Sequence, residues 1–244
     1  MDVRIAEDAK TLAREAAAIV AGLVAQRPDA LILAATGETP IGLYRELARL
    51  RQRGVLGTSR LRVAQLDEYL GLEEDDPRSL FGWMHRALLA PLEIDAVRVI
   101  RFATGHPNAE LAAGMYDRQV DAAGGIDLAI LGLGLNGHLG FNEPPSRADA
   151  PTRTVSLDPG TLASNATYWP NAVVPERAVT AGMSVILSAR RGLLLVSGSR
   201  KAKILDRLLR SAPDPELPAS HLHDHPDTIV LADRDARPKG PHDA

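Results

Sequence analysis

Short apolar segments alternate with longer amphipathic ones along most of the chain, and this alternation restricts the fold more than any other feature. The apolar segments have the length of β-strands, and most lack the polar alternation of a strand with one solvated face. The predicted strands are 29–34, 61–66, 97–102, 127–132, 192–196 and 228–232; the predicted helices are 7–25, 40–51, 79–89, 106–123 and 200–210. This order predicts an α/β fold with a mainly parallel sheet and helices on both faces.

Composition excludes several classes of protein. The 244 residues contain no cysteine, which rules out a disulfide scaffold, a cysteine-ligated metal site and a thiol nucleophile. The net charge of −3 and the few aromatic residues (two Trp, four Tyr, three Phe) argue against nucleic-acid binding. The first eight residues do not resemble a signal peptide, and no apolar run could span a bilayer. We therefore expect a cytoplasmic protein that does not bind membranes.

Domain organisation follows from the same alternation. No linker long enough to divide the chain interrupts it, so we expect a single domain over residues 1–233. Residues 234–244 are polar and contain proline and glycine, which predicts a flexible tail.

Functional residues are sought directly after the strands, because ligands of open parallel sheets bind at the carboxyl ends of the strands. Thr36, Gly37, Glu38 and Thr39 follow the first predicted strand and precede a helix. Free N–H groups at such a helix start can hold a phosphate, and a simple helix cap explains the composition equally well. Asp67 and Glu68 follow the second strand. One could act as a general base; alternatively, one caps the next element and the other is solvated.

The most informative segment is 132–144, which follows the strand 127–132. It combines four glycines, among them Gly137 and Gly140, with Asn136, His138 and Glu143. So many glycines indicate a backbone shaped closely around a ligand, and a histidine near a carboxylate suits proton transfer. The glycine spacing also matches a dinucleotide-binding fingerprint, but the histidine and a proline occupy the stretch where its helix should begin.

Two further segments contain residues of functional interest. Lys201 lies where a strand passes through Ser-Gly-Ser into a helix, so it could hold a phosphate or could be a solvated lysine. Histidines alternate at 221, 223 and 225 in a polar segment. A surface or interface turn explains them better than a metal site, and we predict no metal.

Together these segments resemble the glucosamine-6-phosphate deaminase/isomerase family, whose wider superfamily includes the 6-phosphogluconolactonases. The resemblance spans about residues 31–233. It rests on TGETPIGLYREL (36–47), LDEYLGL (66–72), GLNGHLGFNEP (134–144) and VSGSRKA (196–202). Each motif alone is weak, but four in this order, each after a strand, are specific.

The resemblance implies a modified doubly wound, Rossmann-like fold and an isomerising deamination. An aminohexose 6-phosphate, glucosamine 6-phosphate first, would become fructose 6-phosphate and ammonia without an organic cofactor. Asp67 would move a proton between C2 and C1, and His138 would assist ring opening, supported by Glu143 and Asn136. The phosphate and the rest of the sugar would contact the glycine-containing loops and a lysine, namely Thr36, Gly37, Glu38, Thr39, Gly137, Gly140 and Lys201.

This chain also departs from the family pattern. Asn136 stands where well-known deaminases have an acid, and Thr167 stands where many have a phosphate-binding arginine, for which Arg153 or Arg200 could compensate. Val155 replaces a lysine of the allosteric subgroup, so we expect a monomer or small homo-oligomer. Three alternatives stay open: a galactosamine-6-phosphate deaminase, a 6-phosphogluconolactonase-type hydrolase and a non-catalytic sugar-phosphate sensor. The polar segment 151–170 is predicted to be a mobile lid.

Overall fold

The main sheet of the protein is parallel and has seven strands in the part of the chain that the structure describes. The structure is a computed structural model and describes residues 1–72, 76, 78–169 and 172–238. The seven strands are β1 (Asp2–Ala6), β2 (Leu31–Ala34), β3 (Arg62–Gln65), β5 (Val99–Ile100), β6 (Leu128–Gly132), β9 (Gly192–Val196) and β10 (Thr228–Asp233). Their order is β1-β10-β9-β6-β2-β3-β5, and every neighbouring pair is parallel.

Helices cover both faces of this sheet because its central strands alternate two sets of buried apolar side chains. The α-helices are α1 (Ala9–Gln26), α2 (Ile41–Gln52), α3 (Leu80–Met84), α4 (Ala109–Ala122), α5 (Pro159–Asn165), α6 (Met183–Leu187) and α7 (Ala202–Arg210). Leu31 and Leu33 pack in one core with α4, α6 and α7. Ile32 packs in the other core with α1, α2 and α3, which continues as a π-helical turn at His85–Leu89. The predicted fold class is confirmed.

The strand order places a topological switch point between β2 and β6. From β2 the chain proceeds outward through β3 and β5, and it then returns to the other side of β2 as β6. The loops that leave β2 and β6 therefore diverge at the carboxyl edge of the sheet and open a crevice, which is the usual ligand site of such folds. The 35–40 and 132–144 segments are these two loops.

A second, smaller sheet lies at this edge. β4 (Asp67–Tyr69), β7 (Arg153–Ser156) and β8 (Arg177–Thr180) form an antiparallel sheet in the order β4-β8-β7. β4 begins two residues after β3 ends, and the N–H of Ala181 donates to the carbonyl of Leu66 between them. The chain thus leaves the main sheet and immediately builds a wall beside the crevice.

The sequence analysis did not predict this second sheet or the edge strand β1. β4 and β7 are short and polar, so no apolar run marks them, and β1 pairs on one side only, with β10. The strand predicted at 97–102 is reduced to Val99–Ile100 behind a 3-10 turn at Ala96–Arg98. The other predicted elements are present, with ends displaced by a few residues.

The expectation of a flexible tail over residues 234–244 needs correction. The predicted tail begins too early, because Arg234–Ala236 form a 3-10 turn in which Asp233 accepts from the N–H of Ala236, and Ala236 is fully buried. Residues 239–244 lie outside the described residues.

No helix of the described ranges is long and apolar enough to cross a membrane.

The alternating histidines do not form a surface turn. His221 and His225 are only 7% and 5% exposed, and the segment begins as a 3-10 helix at Pro218–His223. Their Nε2 atoms lie 3.3 Å from the carbonyl of Ser146 and 2.7 Å from that of Ala189. These rings therefore satisfy backbone groups in the interior.

Candidate active site

Asp67 is a buried carboxyl at the edge of the crevice. It begins β4, it is 6% exposed, and the hydroxyl of Thr36 on the 35–40 loop donates to its Oδ1 over a long 3.4 Å. Burial, and after it the negative charge of Glu68, raises the pKa of Asp67 from 3.8 to about 7, against the opposing Thr36 hydrogen bond. A carboxyl with such a pKa can both accept and return a proton near neutral pH.

Glu68 has a different environment, although it is the next residue. Its carboxylate accepts from the N–H groups of Leu80 and Phe81 at the start of α3, each at 2.8 Å. Of the two acids after the second predicted strand, Glu68 is therefore the one that caps the following helix. The same alternative predicted that the other acid is solvated. This prediction is wrong, because Asp67 is buried.

His138, Glu143 and Asn136 form a hydrogen-bonded group in the 132–144 loop. His138 Nδ1 lies 3.0 Å from Glu143 Oε2, and the amide of Asn136 donates to the same oxygen over 2.6 Å. Asn136 Oδ1 in turn accepts from the backbone N–H of His138 at 3.2 Å. Because Glu143 engages Nδ1, the carboxylate selects the tautomer in which Nδ1 carries the proton and Nε2 is the atom available for proton exchange.

The charge of Glu143 is well stabilised. Burial acts to raise the pKa of Glu143, but the hydrogen bond and charge of His138, followed by the nearby Thr161 hydroxyl and the Asn136 amide, lower it from 4.5 to about 2. Within the described ranges, the buried Oε1 of Glu143 accepts no hydrogen bond of standard geometry. Thr161 lies on α5, so that helix contributes to the electrostatics of the His138–Glu143 pair.

The glycines of this loop have packing reasons. A Cβ on Gly134 would lie 2.3 Å from the ring of His138, so the imidazole rests directly on this backbone. Gly137 has φ +90°, and a Cβ there would lie 2.2 Å from Leu217. A Cβ on Gly140 would meet Thr180 of β8 at 2.8 Å. The loop is therefore fixed by the protein itself, and contact of Gly137 and Gly140 with a sugar stays a prediction.

The 35–40 loop leads into α2 without a side-chain cap. Gly37 has φ +97°, and in the described part of the chain no side chain hydrogen-bonds to the first N–H groups of α2, whose N-cap is Pro40. The helix-cap alternative for this loop is therefore wrong. The N–H of Ile41 donates to the carbonyl of Glu38 at 3.2 Å, and the N–H groups that follow it in the first turn, together with the helix dipole, favour an anion at this position. Glu38 is exposed and Thr39 half-buried.

Lys201 lies against the 132–144 loop, on the other side of the switch point. Its ammonium donates to the carbonyl of Leu133 at 2.6 Å, and burial, followed by the charge of Arg200, lowers its pKa. It is therefore not a freely solvated lysine. Gly198, with φ +88°, shapes the turn before it, and the N–H of Gly198 donates to Asp233 at 3.1 Å.

The segment 151–169 covers the small sheet through a third apolar cluster. Trp169 packs edge-on against Tyr69 with ring centroids 5.3 Å apart, and Asn165 donates to the Tyr69 hydroxyl at 2.9 Å. Arg153 donates to Asn142 at 2.8 Å, which ties β7 to the 132–144 loop. Opening of this segment stays a prediction; Pro170 lies outside the described residues.

Sequence reasoning missed two residues with contacts at this site. Asp233 directly follows the last predicted strand, so the rule used for the other strands could have found it. Gln65 donates from Nε2 to Glu68 at 2.8 Å and to the carbonyl of Asp67 at 3.0 Å. No sequence signal marks Gln65, because its role depends on the turn from β3 into β4.

Comparison with known proteins relates this site to a family. The sequence profile described as glucosamine-6-phosphate isomerases/6-phosphogluconolactonase matches residues 5–231. The chain belongs to this family. A glucosamine-6-phosphate deaminase of Bacillus pumilus (strain SAFR-032) is 39% identical over 231 residues, covering 94% of this chain and 96% of the relative. One of Clostridium botulinum (strain Hall) is 34% identical over 240 residues, covering 98% of each chain.

Solved structures of the family agree. A monomeric glucosamine-6-phosphate deaminase superimposes with a TM-score of 0.94 at 38% identity, covering 97% of this chain and 98% of that one. A 6-phosphogluconolactonase of Thermotoga maritima reaches 0.76 at 21% identity, covering 96% and 99%, and supports the fold alone. The family resemblance inferred from the four motifs is confirmed.

Proposed function

We propose that this protein converts glucosamine 6-phosphate to fructose 6-phosphate and ammonia. The observation that carries the proposal is the buried Asp67 carboxyl, with a pKa of about 7, at the edge of the sheet that also holds the His138–Glu143 pair. A proton carrier and a histidine–acid pair are the groups that ring opening followed by isomerisation requires. The named relatives, at 34–39% identity over nearly the whole chain, support the same substrate.

Ring opening is assigned to His138. The ring oxygen must gain a proton while the C1 hydroxyl loses one, and an imidazole can exchange both near neutral pH. Glu143 holds Nδ1, so Nε2 is directed to the substrate and the imidazolium is stabilised when it forms. Asn136 orients this pair without adding a second negative charge.

Isomerisation is assigned to Asp67. In the open-chain sugar it takes the proton from C2 while the aldehyde oxygen receives a proton from His138, which leaves an enolamine, and it then returns a proton to C1. The resulting C2 imine adds water and releases ammonia, so the C2–N bond breaks and the ketone of fructose 6-phosphate forms. A pKa near 7 suits both halves of this transfer, since neither the acid nor the base form is strongly favoured.

The phosphate is assigned to the start of α2 and to Lys201. The uncapped N–H groups of α2 supply donors, and Thr36, Gly37, Glu38 and Thr39 form the loop that presents them. Lys201 adds a positive charge from the opposite side of the switch point. Holding the phosphate fixes C1 and C2 relative to Asp67, and such orientation is a large part of catalysis.

The test compares three substrates with the same purified protein. Ammonia release is measured with glucosamine 6-phosphate and galactosamine 6-phosphate, and acid release with 6-phosphogluconolactone. The proposal predicts ammonia and fructose 6-phosphate in equal amounts from the first sugar. A faster reaction with galactosamine 6-phosphate would identify that epimer as the substrate. Lactone hydrolysis without ammonia release would show a lactonase instead of a deaminase. Binding of all three without turnover would indicate a sensor.

We further propose that the protein acts as a monomer. The solved relative at 38% identity is a monomeric deaminase, and it covers almost all of this chain. Light scattering after size-exclusion chromatography should give the mass of one 26.1 kDa chain. A stable mass of two or more chains would contradict this.

A further inference from the structure

Glu68 is a buried carboxylate to which the proposed mechanism gives no role. It is 4% exposed and lies next to Asp67 in β4. Its Oε1 accepts from the N–H groups of Tyr69 and Leu80, each at 2.8 Å. Its Oε2 accepts from the N–H of Phe81 and the amide of Gln65, also at 2.8 Å.

These four contacts select the charged form of the side chain. All four partners are N–H donors, and a protonated carboxyl would have to turn its own O–H toward one of them. Two of the donors belong to the start of α3, where the helix dipole favours a negative charge. The structure therefore holds a fixed negative charge in the interior beside the site.

This charge acts directly on Asp67. The two side chains follow each other along one strand, and Gln65 donates both to Glu68 and to the backbone carbonyl of Asp67. Three tyrosines in the described part of the chain also interact electrostatically with Asp67, namely Tyr44 on α2, Tyr69 on β4 and Tyr116 on α4. Burial raises the pKa of each of these tyrosines, so they stay neutral where Asp67 titrates. Among these groups Glu68 is the one that carries a charge, and it adjoins Asp67 in the chain.

We propose that Glu68 is a positioning residue that makes Asp67 a stronger base. Its charge opposes ionisation of Asp67, and its bond to Gln65 fixes the turn from β3 into β4 that aims Asp67 into the crevice. This rests on the proposed function only in taking Asp67 as the base. The relation between the two carboxyls rests on their adjacency in β4 and on the Gln65 amide that hydrogen-bonds to both residues, whatever the substrate is.

The test is a carbon NMR titration of the aspartate carboxyls, with the Asp67 signal assigned by its loss in Asp67→Asn. Glu68→Gln should lower the Asp67 midpoint by about one pH unit, since a like charge is removed. Ser79→Ala is the matched control. It removes the hydroxyl that accepts from Gly82 N–H at 2.9 Å in the same helix cap and leaves the charge of Glu68 in place. Its Asp67 midpoint should equal that of the wild type.

Further measurements cover the case in which Glu68→Gln does not fold. Gln65→Met removes the amide that hydrogen-bonds to Glu68 and to the Asp67 carbonyl and leaves both carboxyls in place, so kcat for ammonia release should fall while KM changes little. An unchanged kcat in a folded Gln65→Met would overturn the proposal, and so would an unchanged Asp67 midpoint in a folded Glu68→Gln. The acid limb of kcat/KM for ammonia release should move with the midpoint. If the wild type releases no ammonia while the Asp67 midpoint still moves in Glu68→Gln, the proposed deaminase function is refuted and the relation between the two carboxyls stands.

Discussion

Replacing Asp67 by asparagine should stabilise the protein at alkaline pH while it abolishes the proposed activity. The side chain is 6% exposed, and its pKa is about 7 in the folded protein against 3.8 for the free group. Because the folded state binds this proton more tightly, Asp67 destabilises the fold increasingly as pH rises from about 4 to about 7. Three pKa units correspond to about 4 kcal/mol at pH 8 and to less than half of that at pH 5.

The asparagine is neutral at every pH and removes this term. The stability difference between Asp67→Asn and wild type should therefore grow by about 2–3 kcal/mol from pH 5 to pH 8. For a chain of this size, that corresponds to a relative gain in Tm of about 5–10 °C, measured by scanning calorimetry at both pH values. Comparing two pH values cancels any effect of the substitution that does not depend on pH.

Asp95→Asn provides the control, because the Asp95 side chain is 79% exposed. Its difference in Tm from the wild type should be the same at pH 5 and pH 8. An equally constant difference for Asp67→Asn would mean that Asp67 titrates as an ordinary solvated carboxyl. That result would refute the reasoning, because the site would then hold no proton carrier poised near neutral pH.

Three further substitutions test other parts of the site. Gly134→Ala places a Cβ 2.3 Å from the ring of His138, so ammonia release should fall about 10–100-fold with an unchanged circular dichroism spectrum. Glu143→Gln removes a carboxylate whose pKa is lowered to about 2, so stability present above about pH 4.5 is lost. Its Tm deficit at pH 7 should shrink as pH falls toward 2. Asp233→Asn loosens the turn at Gly198 and should raise KM for the sugar phosphate more than it lowers kcat.

Different results would contradict each of these expectations. Full activity in Gly134→Ala would mean that the imidazole can move without consequence. A Tm deficit in Glu143→Gln that is the same at all pH values would exclude a charge effect. A change in kcat alone for Asp233→Asn would separate the turn at Gly198 from phosphate binding.

The parallel sheet could be predicted because its strands are buried on both faces. Strands such as Gly192–Val196 are continuous apolar runs, and the loops that follow them were located by the rule that ligands bind at the carboxyl ends. This rule locates both Asp67, which begins β4, and His138 in the 132–144 loop. Their placement at one edge follows from the parallel strands, whereas the strand order that puts the switch point between β2 and β6 is visible only in the structure.

The second sheet could not be predicted, because its pairing is entirely non-local. Asp67 pairs with Thr180, more than a hundred residues away, and neither strand has an apolar run that marks it. The separate environments of the two acids depend on this sheet as well. Glu68 is turned to the start of α3, whereas Asp67 faces the hydroxyl of Thr36.

The buried histidines show a similar limit. His221 and His225 satisfy backbone carbonyls that come close only in the folded chain, so the alternation of histidines does not predict that these side chains are buried. The residue type determines which hydrogen bonds a side chain can form, and its position in the fold determines which of them it does form.

The central claim is that Asp67 carries the proton between C2 and C1. The most direct measurement is the rate at which wild type and Asp67→Asn form ammonia and fructose 6-phosphate from glucosamine 6-phosphate. Binding is checked separately by the rise in Tm with the sugar. The account predicts that Asp67→Asn folds and binds the sugar, yet reacts about 10²–10⁴-fold more slowly than the wild type. A folded, sugar-binding Asp67→Asn that releases ammonia as fast as the wild type would contradict it.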